Sequence, residues 1–367
     1  MGTRTKIGLV GCGNISGVYL KNCQTVFDNL EVVACADADA ERAEAKAREF
    51  GIEARTVEAL LADPAIQIVI NLTPPAAHAE VNLAALRSGK HVYSEKPLAA
   101  TRAEGAQILS AAKERNLRVG GAPDTFLGGG LQTCRTLIDA GAIGEPVAAV
   151  AFMLSRGPEG WHPDPDFFYQ PGAGPMFDMG PYYLTTLIHL LGPVRRVTGS
   201  ARISFPERLI TSQPLAGTKI KVNTPTHVVG VLDFVSGPVA TLITSFDVWA
   251  ANLPRIEIYG AEGSLSVPDP NTFNGPVRLR KANAKEWEAV PLTHGFTENS
   301  RGLGVADMAE AIQQGRPHRA SGGMAFHVLD LIQAFEDASL AGQHRILTSQ
   351  CARPEPLPTG SPDWKLD

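Results

Sequence analysis

The sequence has few cysteines, and they are scattered. There are five in 367 residues, and no two of them form a C-x-x-C pair: Cys12, Cys23, Cys35, Cys134 and Cys351. An odd number of isolated thiols is typical of a reducing compartment, and it argues against a disulfide framework or a zinc site. We therefore expect a cytoplasmic protein without a bound metal.

Long apolar runs and an excess of positive charge are also lacking. Near the start, the apolar stretch Ile7–Val10 runs directly into glycines, which is far too short for a signal-peptide core or a membrane span. The formal net charge is −5, and no basic run occurs, whereas proteins that bind nucleic acids normally carry a basic patch. We expect neither a nucleic acid nor a membrane as a partner.

What is present is an ordinary globular balance, with 44 % hydrophobic and 19 % charged residues. A chain of this length suggests two domains, at about 100–200 residues per domain. Short apolar runs alternate with helix-length segments up to residue 122: Ile7–Val10, Glu31–Ala36, Ile66–Leu72, His91–Tyr93 and Leu117–Gly120. This alternation is typical of an α/β fold. We predict a Rossmann domain with a doubly wound parallel sheet over residues 1–122.

After residue 123 the sequence becomes rich in strands with alternating apolar residues. The predicted strands are Val147–Met153, Arg196–Ile203, Thr226–Phe234, Ala240–Val248, Arg255–Tyr259 and Val277–Arg280. Alternation indicates a sheet with one covered face. We predict that residues 123–367 form an α+β domain for substrate binding and oligomerisation, with a large, mostly antiparallel open sheet. Two late helices, Leu303–Gln314 and Gly323–Leu340, are free to pack back on the first domain, and the tail from Pro354 is predicted to be a surface arm.

A glycine loop, Gly11-Cys12-Gly13-Asn14-Ile15-Ser16, follows the first predicted strand and opens the first helix. Gly11 permits a tight turn, and Gly13 lets the backbone approach a pyrophosphate at the helix N-terminus. The third glycine of the usual fingerprint is absent, but Ser16 in its place is still small. The loop therefore predicts a dinucleotide site that includes Gly11, Gly13, Asn14 and Ile15.

The second predicted strand ends at Asp37. A carboxylate there accepts hydrogen bonds from the adenosine ribose and repels a 2′-phosphate. The alternative is that Asp37 caps the helix beginning near Ala40. Since the nearest cation is Arg42, the sequence favours NAD over NADP.

Two further motifs follow predicted strands, Asn71-Leu72-Thr73-Pro74-Pro75-Ala76-Ala77-His78 and Glu95-Lys96-Pro97-Leu98. Together with the glycine loop and Asp178-Met179-Gly180-Pro181-Tyr182, they resemble the glucose–fructose oxidoreductase/inositol dehydrogenase (Gfo/Idh/MocA) family over nearly the whole chain. The resemblance implies that Lys96 contacts both the nicotinamide ribose and the substrate hydroxyl, and that the Lys–Pro bond is often cis. It extends the cofactor contacts to Asn71, Thr73, Pro74, His78, Glu95 and Lys96.

Oxidation of an alcohol needs a base near the hydroxyl that loses its proton. We predict Lys96 and Tyr182 as the acid/base pair, with Asp178 on the same helix face orienting the lysine or the substrate. Many family members have histidine at the position of Tyr182. A tyrosine, whose ordinary pKa is near 10, needs a cation such as Lys96 to lower it. The alternatives are a helix cap for Asp178 and a core aromatic for Tyr182.

A loop rich in aromatic residues precedes this helix and contains Trp161 and His162. Stacking surfaces combined with hydrogen-bonding groups suit sugar recognition, so we predict both residues in substrate binding; an interdomain or subunit contact is the alternative. Asp124 and Thr125 stand where many relatives carry a basic or aromatic residue, which leaves the identity of the sugar open.

The sequence thus predicts an NAD-dependent dehydrogenase that oxidises a hydroxyl of a sugar, polyol or glycoside by hydride transfer to nicotinamide C4. One alternative is an NAD(P)H-dependent keto-sugar reductase that uses the same residues. The other is a sugar-sensing regulator that has lost catalysis. An open sheet face tends to be buried between subunits, so we expect a homodimer or homotetramer.

Overall fold

A computed structural model describes residues 4–360. The first sheet has six parallel strands in the order β3-β2-β1-β4-β5-β6. The strands are β1 (Thr5–Val10), β2 (Leu30–Ala36), β3 (Glu53–Arg55), β4 (Ile68–Asn71), β5 (His91–Ser94) and β6 (Val119–Gly121). This is the predicted doubly wound sheet. It also contains β3, which is too short and too polar for an apolar pattern to reveal.

Five helices connect these strands: α1 (Ser16–Thr25), α2 (Ala40–Phe50), α3 (Val57–Ala62), α4 (His78–Arg87) and α5 (Arg102–Glu114). Their first turns are set by local polar groups. The side chain of Asp39 accepts from the amides of Glu41 and Arg42, and Thr101 forms a capping box with Glu104. Such caps satisfy amides that have no partner within the helix.

The second sheet has nine strands in the order β16-β15-β14-β13-β7-β12-β11-β8-β17. Its strands are β7 (Pro146–Leu154), β8 (Val194–Arg202), β11 (His227–Phe234), β12 (Val239–Ser245), β13 (Ile256–Gly260), β14 (Gly263–Val267), β15 (Val277–Lys281), β16 (Glu288–Val290) and β17 (Arg345–Ile346). Strands β9 (Glu207–Leu209) and β10 (Lys219–Lys221) form a separate hairpin. Within the described chain, only β7 and β12 of this sheet pair in parallel, so the sheet is mixed and mostly antiparallel, as predicted.

The remaining helices are α6 (Gly129–Asp139), α7 (Gly174–Asp178), α8 (Gly180–Leu191), α9 (Leu303–Gln314) and α10 (Gly322–Ala341). Helix α10 packs on β8 and β11, where Gly199 and Gly230 leave room for its Phe335 side chain. A Cβ atom added at Gly230 would lie 2.0 Å from Cε1 of Phe335. Alternate residues of β11 are buried and half-buried, which shows one covered and one more open sheet face.

Helix α10 also contacts the first sheet and its helices. Arg102 of α5 forms ion pairs with Asp330 and Asp337 of α10 at 2.5 and 2.6 Å, and Gly120 forms a β-bridge with Ser321. The domain boundary at residue 122 stays a prediction. Among residues 4–360, no helix is long and apolar enough to cross a membrane.

The predicted surface arm is right only in part for residues 354–360: Glu355 and residues 358–360 are exposed, but Pro354 and Leu357 are buried against the protein. The Pro354 carbonyl accepts from Arg135 at 2.7 Å, and the amide of the buried Leu357 donates to Gln132 at 2.7 Å. Prolines prevent regular structure here but not docking, because side chains of α6 supply the hydrogen-bond partners. The end of the predicted arm, residues 361–367, lies outside the described residues.

Candidate active site

The glycine loop lies at the carboxyl end of β1, pressed against the end of β4. Gly11 has φ 101°, and an added Cβ would lie 2.6 Å from the carbonyl carbon of Leu72, so only glycine fits there. At Gly13, by contrast, an added Cβ would meet nothing within 4 Å. The Ser16 hydroxyl donates to the Gly13 carbonyl at 2.6 Å. The loop is thus packed against Leu72 at Gly11 and open at Gly13. The open side lies beside the N-terminus of α1, and this arrangement suits the binding of a pyrophosphate.

Asp37 lies next to this loop, with its side chain only 11 % exposed. Its carboxylate accepts from the amide of Cys12 at 2.7 Å and from the amide of Asp39 at 2.9 Å. The alternative role as cap of α2 is wrong, because Asp39 caps that helix. Arg42 lies 3.9 Å from Asp37 and 3.6 Å from Asp39. Two carboxylates therefore compensate the nearest cation, and the surroundings disfavour a 2′-phosphate.

The loops after β4 and β5 are tied together by buried side chains. The two ring nitrogens of His78 lie 2.6 Å from the Pro97 carbonyl oxygen and 2.7 Å from that of Thr73. Asn71 donates to Asn82 at 2.8 Å and accepts from the Thr73 hydroxyl at 2.7 Å. Burial lowers the pKa of His78, although both carbonyl acceptors act to raise it. The side chains of Asn71 and His78 are therefore engaged within the protein, where they brace the loops that carry Thr73, Pro74 and Lys96.

Lys96 projects from the loop after β5, next to a cis peptide bond to Pro97. Its ammonium group donates to the Asp178 carboxylate at 2.9 Å and to the Asp178 backbone carbonyl at 2.7 Å. The preceding Glu95 accepts from the Tyr19 hydroxyl and from the Lys96 amide, both at 2.9 Å. Burial is the largest single effect and acts to lower the pKa of Lys96, but the charges of Asp178, Tyr182 and Glu95 together outweigh it and raise this pKa above its ordinary value. Lys96 is therefore an ammonium ion at neutral pH.

The prediction that Asp178 and Tyr182 share one continuous helix is wrong. Helix α7 ends at Asp178 and α8 begins at Gly180, where glycine and Pro181 interrupt the helical path. The Tyr182 amide donates to the Met179 carbonyl instead of the Asp178 carbonyl. This break frees the carbonyl of Asp178, which in a continuous helix would accept from Tyr182. The freed carbonyl is the one that accepts from Lys96.

The ring of Tyr182 lies beside Lys96, with the ammonium nitrogen 5.4 Å from the ring centroid. The side chain is buried, with 7 % of the residue exposed. Lys96 acts to lower the pKa of the phenol, as predicted, but burial is the larger effect, and the pKa of Tyr182 is raised. The expectation that Lys96 brings this pKa below its ordinary value is therefore wrong. Loss of hydration destabilises the phenolate more than the charge of Lys96 stabilises it.

Sequence reasoning gave no role to Arg301, in the segment before α9, whose charge acts to lower the pKa of Tyr182. No motif around Arg301 signals this effect, and it lies 119 positions after Tyr182 in the chain. The sequence marked Asp124 only as a departure from the basic or aromatic residue of many relatives, and it gave no structural role for this carboxyl group. It is buried and accepts from the amides of Gly302 and Gly304 at 2.9 and 3.0 Å, and burial raises its pKa to about 6. Asp124 thus anchors the start of α9 next to Arg301.

Trp161 and His162 lie in an aromatic group beside the β9–β10 hairpin. Trp161 is 69 % exposed, and its ring packs edge-on to His162 at 5.5 Å and to Phe168 at 6.3 Å. The His162 carbonyl accepts from Ser212. Among residues 4–360, no hydrogen bond, ion pair or ring contact joins Trp161 or His162 to Lys96, Asp178 or Tyr182. Their role in substrate binding stays a prediction.

Two family models match the chain. Residues 5–121 match the oxidoreductase family GFO/IDH/MocA, NAD-binding Rossmann fold, and residues 131–266 match a GFO/IDH/MocA C-terminal domain. The two models together span the first sheet and much of the second. The arrangement of the glycine loop, Asp37 and the Lys96 cluster is therefore set in an NAD-binding architecture.

Individual relatives support the same assignment. The chain is 30 % identical to a 1,5-anhydro-D-fructose reductase from Ensifer adhaerens, covering 78 % of this chain and 82 % of the relative. It is 29 % identical to a dTDP-3,4-didehydro-2,6-dideoxy-alpha-D-glucose 3-reductase from Streptomyces violaceoruber, covering 91 % and 95 %. Among solved structures, a levoglucosan dehydrogenase in complex with NADH and L-sorbose shares the fold, with a TM-score of 0.80 at 22 % identity, covering 95 % and 100 %.

Proposed function

The chain is a member of the Gfo/Idh/MocA family of NAD(P)-dependent oxidoreductases, and on this premise we propose that it oxidises a hydroxyl of a sugar, polyol or glycoside. The observation that carries the proposal is the cluster of Lys96, Asp178 and Tyr182 next to the loops at the carboxyl edge of the parallel sheet. In open α/β sheets, ligands bind at this edge. A cation, a carboxylate and a phenol meeting there are suited to handling a hydroxyl proton.

NAD, when bound, supplies the hydride acceptor. The open side of Gly13 leaves room for the pyrophosphate against the backbone of Asn14 and Ile15, and Asp37 is the acceptor for the adenosine ribose hydroxyls. The compensated charge of Arg42 supports NAD as the preferred form.

The protein's own residues divide the proton chemistry between them. Because the raised pKa of Lys96 keeps it charged, its ammonium can donate a hydrogen bond to the substrate oxygen but cannot act as a base. Deprotonated Tyr182 is then the group that takes the hydroxyl proton, and it later releases this proton to solvent. Asp178 holds the ammonium through its carboxylate and its freed carbonyl. This positioning keeps Lys96 next to Tyr182 in the absence of substrate.

A panel of sugars, polyols and glycosides assayed with NAD and NADP tests the proposal. We expect reduction of NAD with at least one member of the panel. The absence of turnover in both directions, combined with NAD binding, would contradict an enzymatic role and favour the sugar-sensing alternative.

Reduction of a keto-sugar by the same site is the second candidate function. The raised pKa of Tyr182 favours it, because a phenol that stays protonated at neutral pH can donate its proton to a carbonyl oxygen. Comparison of kcat/KM for a hydroxyl substrate with NAD and for its oxidised product with NADH, at the same pH, measures which direction the site favours. A larger value for the carbonyl substrate at neutral pH would assign the reductive function.

The open face of the second sheet supports assembly into a homodimer or homotetramer, and the five free cysteines support a location in the reducing cytoplasm. Half-buried apolar side chains lie next to one another on that face, from β7, β12 and β11: Phe152, Ile243, Val229 and Val231. An apolar face of this kind is stabilised by contact with a second copy. Sedimentation at micromolar concentration is expected to show a species larger than the monomer.

A further inference from the structure

The imidazole ring of His78 bridges the two loops that carry Thr73 and Lys96. Its Nδ1 atom lies 2.6 Å from the Pro97 carbonyl oxygen, and its Nε2 atom lies 2.7 Å from the Thr73 carbonyl oxygen. A carbonyl oxygen only accepts hydrogen bonds, and a neutral imidazole has a single N–H to donate. Two hydrogen bonds of this kind therefore require the imidazolium form, in which both ring nitrogens donate.

This ring links the two loops beyond the end of the sheet. The ladder between β4 and β5 ends where the Glu95 amide donates to the Asn71 carbonyl at 2.8 Å. Among the described residues, no further backbone hydrogen bond joins the loop after β4 to the loop after β5. The main chain at Lys96 is thus held on one side by the sheet, through Glu95, and on the other by His78, through Pro97.

The surroundings of the ring oppose its charge. His78 is 1 % exposed, and burial lowers its pKa below the ordinary value of 6.5. The two carbonyl acceptors and the charge of Glu95 act to raise this pKa, and the charge of Lys96 acts to lower it. At neutral pH the ring is therefore mostly neutral and donates to one carbonyl. At lower pH the imidazolium donates to both.

We propose that His78 is a positioning residue for Lys96, and that a proton gained by its ring fastens the two loops to each other. When the ring loses this proton, a nitrogen lone pair faces a carbonyl oxygen, and the repulsion between them releases one loop. Since these loops carry the predicted cofactor contacts Thr73, Pro74 and Lys96, NAD binds more tightly to the protonated form. This inference rests on the proposed function, because it assumes that both loops hold NAD.

NMR measures the protonation state of the ring directly. In protein with ¹⁵N-labelled histidine, we expect one ring to have two N–H groups at pH 4.5 and one at pH 8. That ring is assigned to His78 by coupling across its hydrogen bond to a ¹³C-labelled proline carbonyl, because Pro97 is its acceptor. A ring that keeps one N–H over this whole range, or keeps two, would overturn the inference.

The affinity for NAD provides the second test. We expect the Kd of the wild-type protein to rise by roughly two- to tenfold from pH 4.5 to pH 8, as loss of one hydrogen bond implies. His78→Gln has no proton to exchange in this range and should show no such step. His344→Gln, which removes an exposed imidazole, is the matched control and should keep the step. A residue that only fills space would not produce it.

A third measurement needs no variant and decides the matter if His78→Gln does not fold. Coupling between two binding equilibria is reciprocal, so bound NAD must shift the titration of the His78 ring to higher pH. The shift must equal the logarithm of the ratio of the two Kd values. An unshifted ring titration would overturn the inference.

None of these measurements depends on turnover, so the inference and the proposed function fail separately. If the sugar panel gives no turnover but the NAD step is present and is lost in His78→Gln, the proposed function alone is contradicted. If a sugar is oxidised but the step persists in His78→Gln, the inference alone is overturned.

Discussion

The cofactor loop and the proposed proton-transfer cluster are built in opposite ways. The cofactor side uses consecutive residues, Gly11 to Ser16, and a single carboxylate at the end of the next strand, all held by backbone geometry. The proposed proton-transfer cluster joins Lys96 to Asp178 and Tyr182, which belong to a segment far away in the chain. A site that binds a dinucleotide through backbone amides can be formed by residues that are consecutive in the sequence. A site that sets the pKa of a proton-exchanging group needs charged side chains around that group, and these come from different segments of the chain.

The largest predicted effect lies on the cluster side. Lys96→Met and Tyr182→Phe should each lower kcat by about 10²–10⁴-fold, the usual contribution of general acid–base catalysis, while NAD binding persists. The double variant should lose less than the product of the two effects, because the groups act as a unit. Steady-state kinetics together with NAD titration measure this. A fully multiplicative loss would show that the two residues act independently.

The next prediction concerns Asp124, which joins the end of β6 to the start of α9. Its pKa is about 6 in the folded protein, above that of the unfolded chain, so the folded state binds its proton more tightly. Stability from this group is therefore greatest below pH 4 and falls as the pH rises through 6, by roughly 2–3 kcal/mol. Asp124→Asn should flatten this part of the curve in urea unfolding at pH 4 to 7.

In Asp124→Asn, the amide oxygen can still accept from Gly302 and Gly304, so a large loss of stability at pH 4 is not expected. Such a loss would mean that Asp124 is still ionised at pH 4, against its raised pKa, and that its hydrogen bonds to the start of α9 depend on its charge.

The smallest effect is expected on the cofactor side. Asp37→Ala should lower the NAD/NADP preference in kcat/KM by about tenfold, as loss of one hydrogen-bonding carboxylate costs about 1.4 kcal/mol. Its matched control is Glu44→Ala, which removes an exposed carboxylate of α2 that pairs with Arg48 instead of Arg42. An unchanged preference in Asp37→Ala would remove Asp37 from the ribose site and weaken the claim that this half of the site is locally encoded.

Most of the fold could be predicted from the sequence because hydrophobic periodicity is a local signal. The strands and helices that the pattern predicts, the glycine loop and the late helices are confirmed within a few residues. The pattern did not reveal the short strands β3, β9, β10, β14, β16 and β17. The break between α7 and α8 was missed, although Gly180 and Pro181 signal it. Pro181 lies in the first turn of α8, where its missing amide costs no helical hydrogen bond, and only the observed backbone shows that this helix starts after Asp178.

What the sequence by itself determined about this protein is the family, the two sheets and the position of the dinucleotide loop, since each depends on neighbouring residues. Tertiary structure alone decided the electrostatics of the candidate base. Whether burial or a nearby cation controls the pKa of Tyr182 depends on distances between segments far apart in the chain, and so does the ion pair of Lys96 with Asp178. Coulomb energies and desolvation vary with separation and burial, neither of which is contained in residue order.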